Sequence, residues 1–177
     1  MSGKLNVMAV SKSLEELCEI AIRLGAAEAK VIKAGDVVVR DWVRLKCQYG
    51  CDGYGKRLTC PPYSPTPEQM RRVLSGYNSA ILLRFEPGWE KVHRVVASLE
   101  REAFLSGYYS AFGLTSGPCP LCKECNLKNC VHPELARPSM EACGIDVYAT
   151  ARGAGFKIDV VKTRREKPRY FGLLLVT

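Results

Sequence analysis

The sequence predicts an α/β (α+β) sandwich, a mixed sheet with flanking helices and a cysteine-rich insert. Three observations carry this expectation. Apolar residues recur at helical spacing in some segments and cluster as short β-branched runs in others, and the two kinds alternate in part along the chain. The 177 residues, 47% of them hydrophobic, suit a single domain over 1–177 with a real core. Eight of the nine cysteines fall in two turn-rich stretches, 47–67 and 116–144.

The first helix opens at Ser13, with Ser13 as N-cap and Glu16 at the capping-box position. Leu14, Leu17, Cys18, Ala21 and Leu24 form its apolar stripe, and Gly25 stops it. Cys18 on that stripe reads as a small core residue. Ala29–Lys33 and Val37–Lys46 read as strands around a turn at Gly35-Asp36, and the second leads straight into Cys47. Cys47–Pro67 reads as a loop, dense in glycine and proline. Thr66 caps a helix that starts at Pro67 and ends near Gly76.

Ser79–Phe85 is the next strand, broken by Pro87-Gly88. Trp89–Leu105 is a long helix with Val92, Val95, Val96, Leu99 and Ala103 on one side. Tyr108–Leu114 reads as a strand, and the cysteine-rich insert follows it. Pro138 starts a further helix that runs to about Ala151, interrupted near Gly144. Arg152-Gly153-Ala154-Gly155 reads as its stop rather than as a dinucleotide loop, because it follows a helix and precedes a strand. Phe156–Lys162 and Tyr170–Val176 read as a closing hairpin around the basic turn Thr163–Arg169.

Charge and targeting signals bound the function. The segment MSGKLNVMAVSKSLEEL lacks the long apolar core of a signal peptide, and the longest apolar runs are too short to span a bilayer. A cytoplasmic protein without a membrane anchor is expected. A reducing cytosol disfavours structural disulfides, so clustered cysteines point to metal or redox chemistry. The net charge of +8 suits an acidic protein partner, an anionic cofactor or nucleic acid, and it also offsets thiolates bound to metal. No RNA-recognition signature with interleaved aromatics is present, so nucleic acid is secondary. The turn carrying Arg164, Arg165, Lys167 and Arg169 is a solvated tip or a docking site for an acidic redox partner. With His93 and His132 as the only histidines, a histidine acid–base mechanism has little to draw on, and enzymatic activity is left open.

The first cysteine group is Cys47, Cys51 and Cys60, spaced C-x3-C-x8-C. Gly50, Gly53 and Gly55 let such a loop fold several sulfurs around one centre. Pro61 and Pro62 have no amide hydrogen to offer a sulfur, yet they shield it from water. The second group is Cys119-x2-Cys122-x2-Cys125-x4-Cys130. It is similar to the bacterial ferredoxin run C-x2-C-x2-C-x3-C-P and departs from it in the last gap, which makes the insert ferredoxin-like and puts Cys130 in question. Zinc is the main rival, with Cys119 and Cys122 joined by Cys130 and His132. The third cysteine at x2 spacing, Cys125, favours iron–sulfur. A thioredoxin-like pair at Cys119-Pro120-Leu121-Cys122 is a third option. Cys143 follows the second group near a helix end. Leaving out Cys18, eight cysteines remain, which matches two [4Fe-4S] clusters with four thiolates each.

At Cys47-Gln48-Tyr49-Gly50-Cys51 with Cys60-Pro61-Pro62, Cys119-Pro120-x-Cys122-x-x-Cys125, Arg137–Asp146 and Tyr170–Leu175, the chain resembles a poorly characterised family of predicted metal-binding proteins of archaea and anaerobic bacteria. The resemblance implies metal binding by the cysteines and supplies no substrate. The expected function is an iron–sulfur protein in electron transfer or a redox accessory role. The alternatives are a zinc-binding interaction module, and an iron–sulfur enzyme with one open cluster iron.

Overall fold

The computed structural model describes residues 11–163 and 165–177. The N-terminal stretch before residue 11, and Arg164 of the basic turn, lie outside the described residues. Four strands form one sheet: β1 (Glu28–Lys33), β2 (Ser79–Phe85), β3 (Phe112–Leu114) and β4 (Tyr170–Leu175). Their order is β1-β2-β4-β3, and every pairing is antiparallel. The expected mixed sheet is therefore an antiparallel one.

Helices cover both faces of this sheet. The pleat sends Ile81, Leu83 and Phe85 of β2 and Leu174 of β4 to one face, where they meet α1 (Leu14–Leu24) and α4 (Glu90–Leu105). Ala80 and Leu82, with Phe171, Leu173 and Leu175, point the other way. There they meet Met70 and Leu74 of α3 (Pro67–Leu74), Cys143, Ile145, and Ala151 of α5 (Val147–Gly153). Glycine lets α4 approach the sheet closely. A Cβ on Gly113 would stand 2.3 Å from Val96 Cγ1, and one on Gly172 would stand 2.8 Å from Val96 Cγ2.

The capping signals hold. Ser13 and Glu16 form a reciprocal capping box on α1, and Thr66 and Gln69 form one on α3 with Pro67 in the first turn. Gly25 ends α1 at φ 121°. Cys18 packs on the α1/α4 core, as its stripe position implied.

Four expectations need correction. The segment 37–46 is not a strand. A 3-10 turn covers Ala34–Asp36, Val39 makes one isolated bridge to Ile145, and Trp42–Gly50 is helix α2. The β-branched run stops at Val43, and Arg44, Leu45, Lys46 and Gln48 are good helix formers. Cys47 consequently rides on a helix, not in a loop. The segment 156–162 is not a strand either. Both edges of β4 are taken, by β2 and by β3, so 156–162 instead packs Phe156 and Ile158 onto the face of the sheet. The rings of Phe156 and Phe171 meet edge to face at 5.4 Å. Of Tyr108–Leu114 only Phe112–Leu114 pairs as a strand, because the preceding residues form the turn that leaves α4. The expected helix from Pro138 is a 3-10 turn, Glu141–Cys143, ended by Gly144 in the left-handed region, followed by α5 from the N-cap Asp146.

Candidate metal centre

The first candidate set is built where three distant segments meet. Helix α2 carries Cys47 and ends at Cys51. The turns after it bring Cys60 back against Cys51. A Cβ on Gly53 would lie 3.5 Å from both the Cys51 and the Cys60 sulfur, so Gly53 leaves the gap between them open. The Gly53 amide donates to Cys51 Sγ at 3.4 Å. The third segment is the turn Glu141–Cys143, which packs on α2. Cys47 Sγ lies 3.9 Å from the Glu141 carbonyl oxygen.

This placement regroups Cys143, which the sequence put beside the second run. It sits behind Cys47, fully buried, and the Cys47 charge contributes to its upward shift. Burial is the first cause and pushes the Cys143 thiol up to about 12. Burial likewise pushes Cys60 up to about 11 and raises Cys47.

Arg44 fastens the three segments together. Its Nη1 lies 2.8 Å from the Pro65 carbonyl and 3.0 Å from the Ala142 carbonyl, with Ser64 next to both. Ser64 Oγ donates to the same Ala142 carbonyl at 2.7 Å. The Arg44 charge also pulls the thiols of Cys47 and Cys143 back down, against burial. Arg44 and Ser64 carry no sequence signal, since the Ala142 carbonyl they share lies 98 and 78 residues away.

The second candidate set lies in residues 116–138, which contain no helix or strand. Their two ends are closed side by side. Thr115 bridges Ser139, the Thr115 amide donates to the Pro138 carbonyl at 2.8 Å, and the Met140 amide donates to the Thr115 carbonyl at 2.9 Å. Glu100 of α4 grips Arg137 through both carboxylate oxygens, at 2.5 and 2.7 Å, and also accepts from the Gly113 amide. Buried His93 bonds through Nε2 to the Ser116 carbonyl at 3.0 Å, so this histidine positions the start of the segment.

Within that segment Cys119 is buried, and burial raises its thiol. The charges of Cys122 and Cys130 raise it further, while the Arg57 charge and a hydrogen bond to the Leu121 backbone lower it. Cys125 lines a cavity of about 390 Å³ shared with Gly53, Arg57 and Pro118. His132 is half-buried, with its Nδ1 4.0 Å from Glu134 Oε1.

Arg57 stands between the two sets. It donates to the Cys122 carbonyl at 3.0 Å, and its charge lowers both Cys60 and Cys119. The sets are neighbours, for Pro118 Cβ would be 3.6 Å from a Cβ on Gly53. Among the described residues no three His, Cys, Asp or Glu side chains already stand at the spacing of a single bound ion.

Residues 30–176 match a family described as "predicted metal-binding protein (DUF2284)". The chain belongs to that family. The matched stretch takes in all eight cysteines of the two sets and leaves Cys18 outside, in keeping with its place in the core. No curated protein and no solved structure matches the chain. Among the described residues no helix is long and apolar enough to cross a membrane.

The donor chemistry fits a family predicted to bind metal. Soft thiolates in Gly- and Pro-rich turns, with a cation set between them, select zinc or iron–sulfur centres over hard cations. Glu141 was not singled out by its sequence context. It lines the cavity beside the first set, burial raises its carboxyl pKa, and its Oε2 is buried without a hydrogen-bond partner.

Proposed function

We propose that this member of the family is a cytoplasmic iron–sulfur protein with two [4Fe-4S] clusters, serving electron transfer or a redox accessory role. The reading is supported by Cys51 and Cys60 facing each other across Gly53, by Cys47 lying against the turn of Cys143, and by the x2 spacing of Cys119, Cys122 and Cys125. Cys47, Cys51, Cys60 and Cys143 would hold one cluster, and Cys119, Cys122, Cys125 and Cys130 the other. Bound clusters supply one-electron chemistry at a potential set by charge, hydrogen bonds and solvent access.

The rest of the work falls to this chain's own residues. Arg57 offsets thiolate charge from both groups, and the Gly53 amide donates to a ligand sulfur. Pro61 and Pro118 line the cavity wall beside the sulfurs and limit water there. Pro168 and Arg169, at the end of the basic turn, lie on the same cavity wall as Cys47 and Cys51. An acidic redox partner seated on that turn would approach the first group, with charge steering its encounter.

The same four-and-four division also suits two tetrahedral zinc sites. The consecutive x2 spacing of Cys119, Cys122 and Cys125 is the feature that favours iron–sulfur. The deciding experiment is strictly anaerobic purification and reconstitution, then iron, sulfide and zinc analysis with paramagnetic resonance on the reduced protein. Iron and sulfide in equal amounts with a reduced-state signal are expected. Tightly bound zinc without iron or sulfide would sink the iron–sulfur reading.

A further inference from the structure

A cavity of about 650 Å³ opens beside Cys47, Cys51 and Cys60. That size falls within the range of sites for small organic ligands. Most of its wall is apolar, formed in part by Val43, Ile145, Val147, Ile158 and Phe171. Three of its charged lining residues differ in what they leave available. Asp146 Oδ1 is engaged, accepting from the Ala149 amide at 2.9 Å as the cap of α5. Lys46 and Arg169 are exposed, which sets them at the rim. Among the described residues Lys46 makes no ion pair, and Arg169 donates only to the Lys157 carbonyl.

We propose that this cavity is a binding site for a small organic anion: an apolar body held by the wall, and a carboxylate or phosphate held at the rim by Lys46 and Arg169. An apolar chamber with cations at its mouth selects such a molecule over an apolar cation. An amine would lose hydration there and face two like charges. The orphaned Oε2 of Glu141 adds a hydrogen-bonding point inside for a ligand hydroxyl. The ligand's body would lie against the cysteine group, so the cavity joins a metal centre to an organic molecule. Its use as a substrate site rests on the metal-centre reading; occupancy of the cavity does not.

The test is a fluorescence titration of the full chain, under anaerobic conditions, with 8-anilinonaphthalene-1-sulfonate as an apolar anionic probe. Metal and sulfide are assayed on the same sample. One saturable site is expected, with displacement by octanoate and not by octylamine. Val160→Trp narrows the cavity from an exposed position on its wall, and the double change Lys46→Glu with Arg169→Glu reverses the rim. Each should weaken probe binding about tenfold or more, the loss of one or two contacts. Because all three positions are exposed, circular dichroism and thermal midpoint should stay at the parent values. Absence of a saturable site overturns the proposal. So does binding that ignores both variants, or displacement by octylamine as effective as by octanoate. Probe binding without iron or sulfide would leave the cavity assigned and remove the iron–sulfur reading. Iron and sulfide without probe binding would do the reverse.

Discussion

Arg44 Nη1 donates to the Ala142 carbonyl at 3.0 Å, across 98 residues of chain. That bond joins the helix of Cys47 to the turn that ends in Cys143. Arg44→Ala would strand the Ala142 and Pro65 carbonyls of their charged donor and let burial act on both thiols unopposed. A loss of about 2 kcal/mol is expected, since a hydrogen bond from a charged group contributes that order. Arg44→Lys should recover little of it, because a single ammonium cannot match the planar fork. Urea unfolding measures the stability, and the metal-to-protein ratio reports whether the first set still loads.

Cysteine-to-serine changes test the grouping. Cys51→Ser and Cys143→Ser should each remove about half of the bound metal, and Cys122→Ser the other half, while Cys18→Ser removes none. Loss of all metal on any single change would show one shared centre instead of two. Elemental analysis of anaerobically purified variants separates the outcomes.

Gly144 holds Cys143 in place at φ 81°, and a Cβ there would be 2.7 Å from Pro67 Cγ. Gly144→Ala therefore meets both a left-handed backbone and a collision with the first residue of α3. About 2–4 kcal/mol of destabilisation is expected. The second cysteine set should still take up metal, which distinguishes a local fault from general unfolding.

Glu100→Ala tests the base of the second segment. It leaves the Arg137 guanidinium, half-buried, and the Gly113 amide without their shared acceptor. A loss of about 3 kcal/mol is expected from the unpaired charge. Glu100→Gln, which keeps an acceptor, should cost less. Thermal unfolding orders the two variants, and proteolysis within 116–138 reports whether the segment has loosened.

The raised thiols predict a pH dependence for the metal-free, reduced protein. Cys60 is pushed up to about 11 and Cys143 to about 12, above the value of a free thiol. The fold therefore binds these protons more tightly than the unfolded chain does. Stability is full below about pH 8.5 and falls as pH rises through 9 to 11, by about 1.4 kcal/mol per pH unit for each such group at most. Metal uptake must expel the same protons, so loading at neutral pH should speed up with rising pH and acidify an unbuffered solution. Denaturation midpoints across pH 7–10.5, in the presence of a phosphine reductant, check the first claim. A flat profile contradicts it.

Much of the fold was legible because local rules decided it. Ser13 with Glu16, and Thr66 with Pro67 and Gln69, state two helix starts outright, and each box satisfies orphan amides from within four residues. The valine stripe of α4 and the apolar run of β2 needed only their own periodicity. Val37–Lys46 misled because three consecutive valines outweighed the helix formers after them, while the single bridge of Val39 depends on Ile145, more than a hundred residues on. Phe156–Lys162 misled because β-character says nothing about whether a sheet edge is free.

By itself the sequence determined which residues are candidates for metal binding: eight cysteines outside the apolar stripes, with a ninth, Cys18, inside one. Spacing also put Cys119, Cys122 and Cys125 within seven residues of one another. Only the tertiary structure decided that the turn of Cys143 packs on the helix of Cys47, and that Arg57 reaches from the first cysteine loop to the Cys122 carbonyl. It also created the cavity and turned Glu141 into its wall. The physical reason is range. Caps, stripes and cysteine spacings act over one turn of chain. Burial and charge act through space, between segments that meet only when the two faces of the sheet are packed.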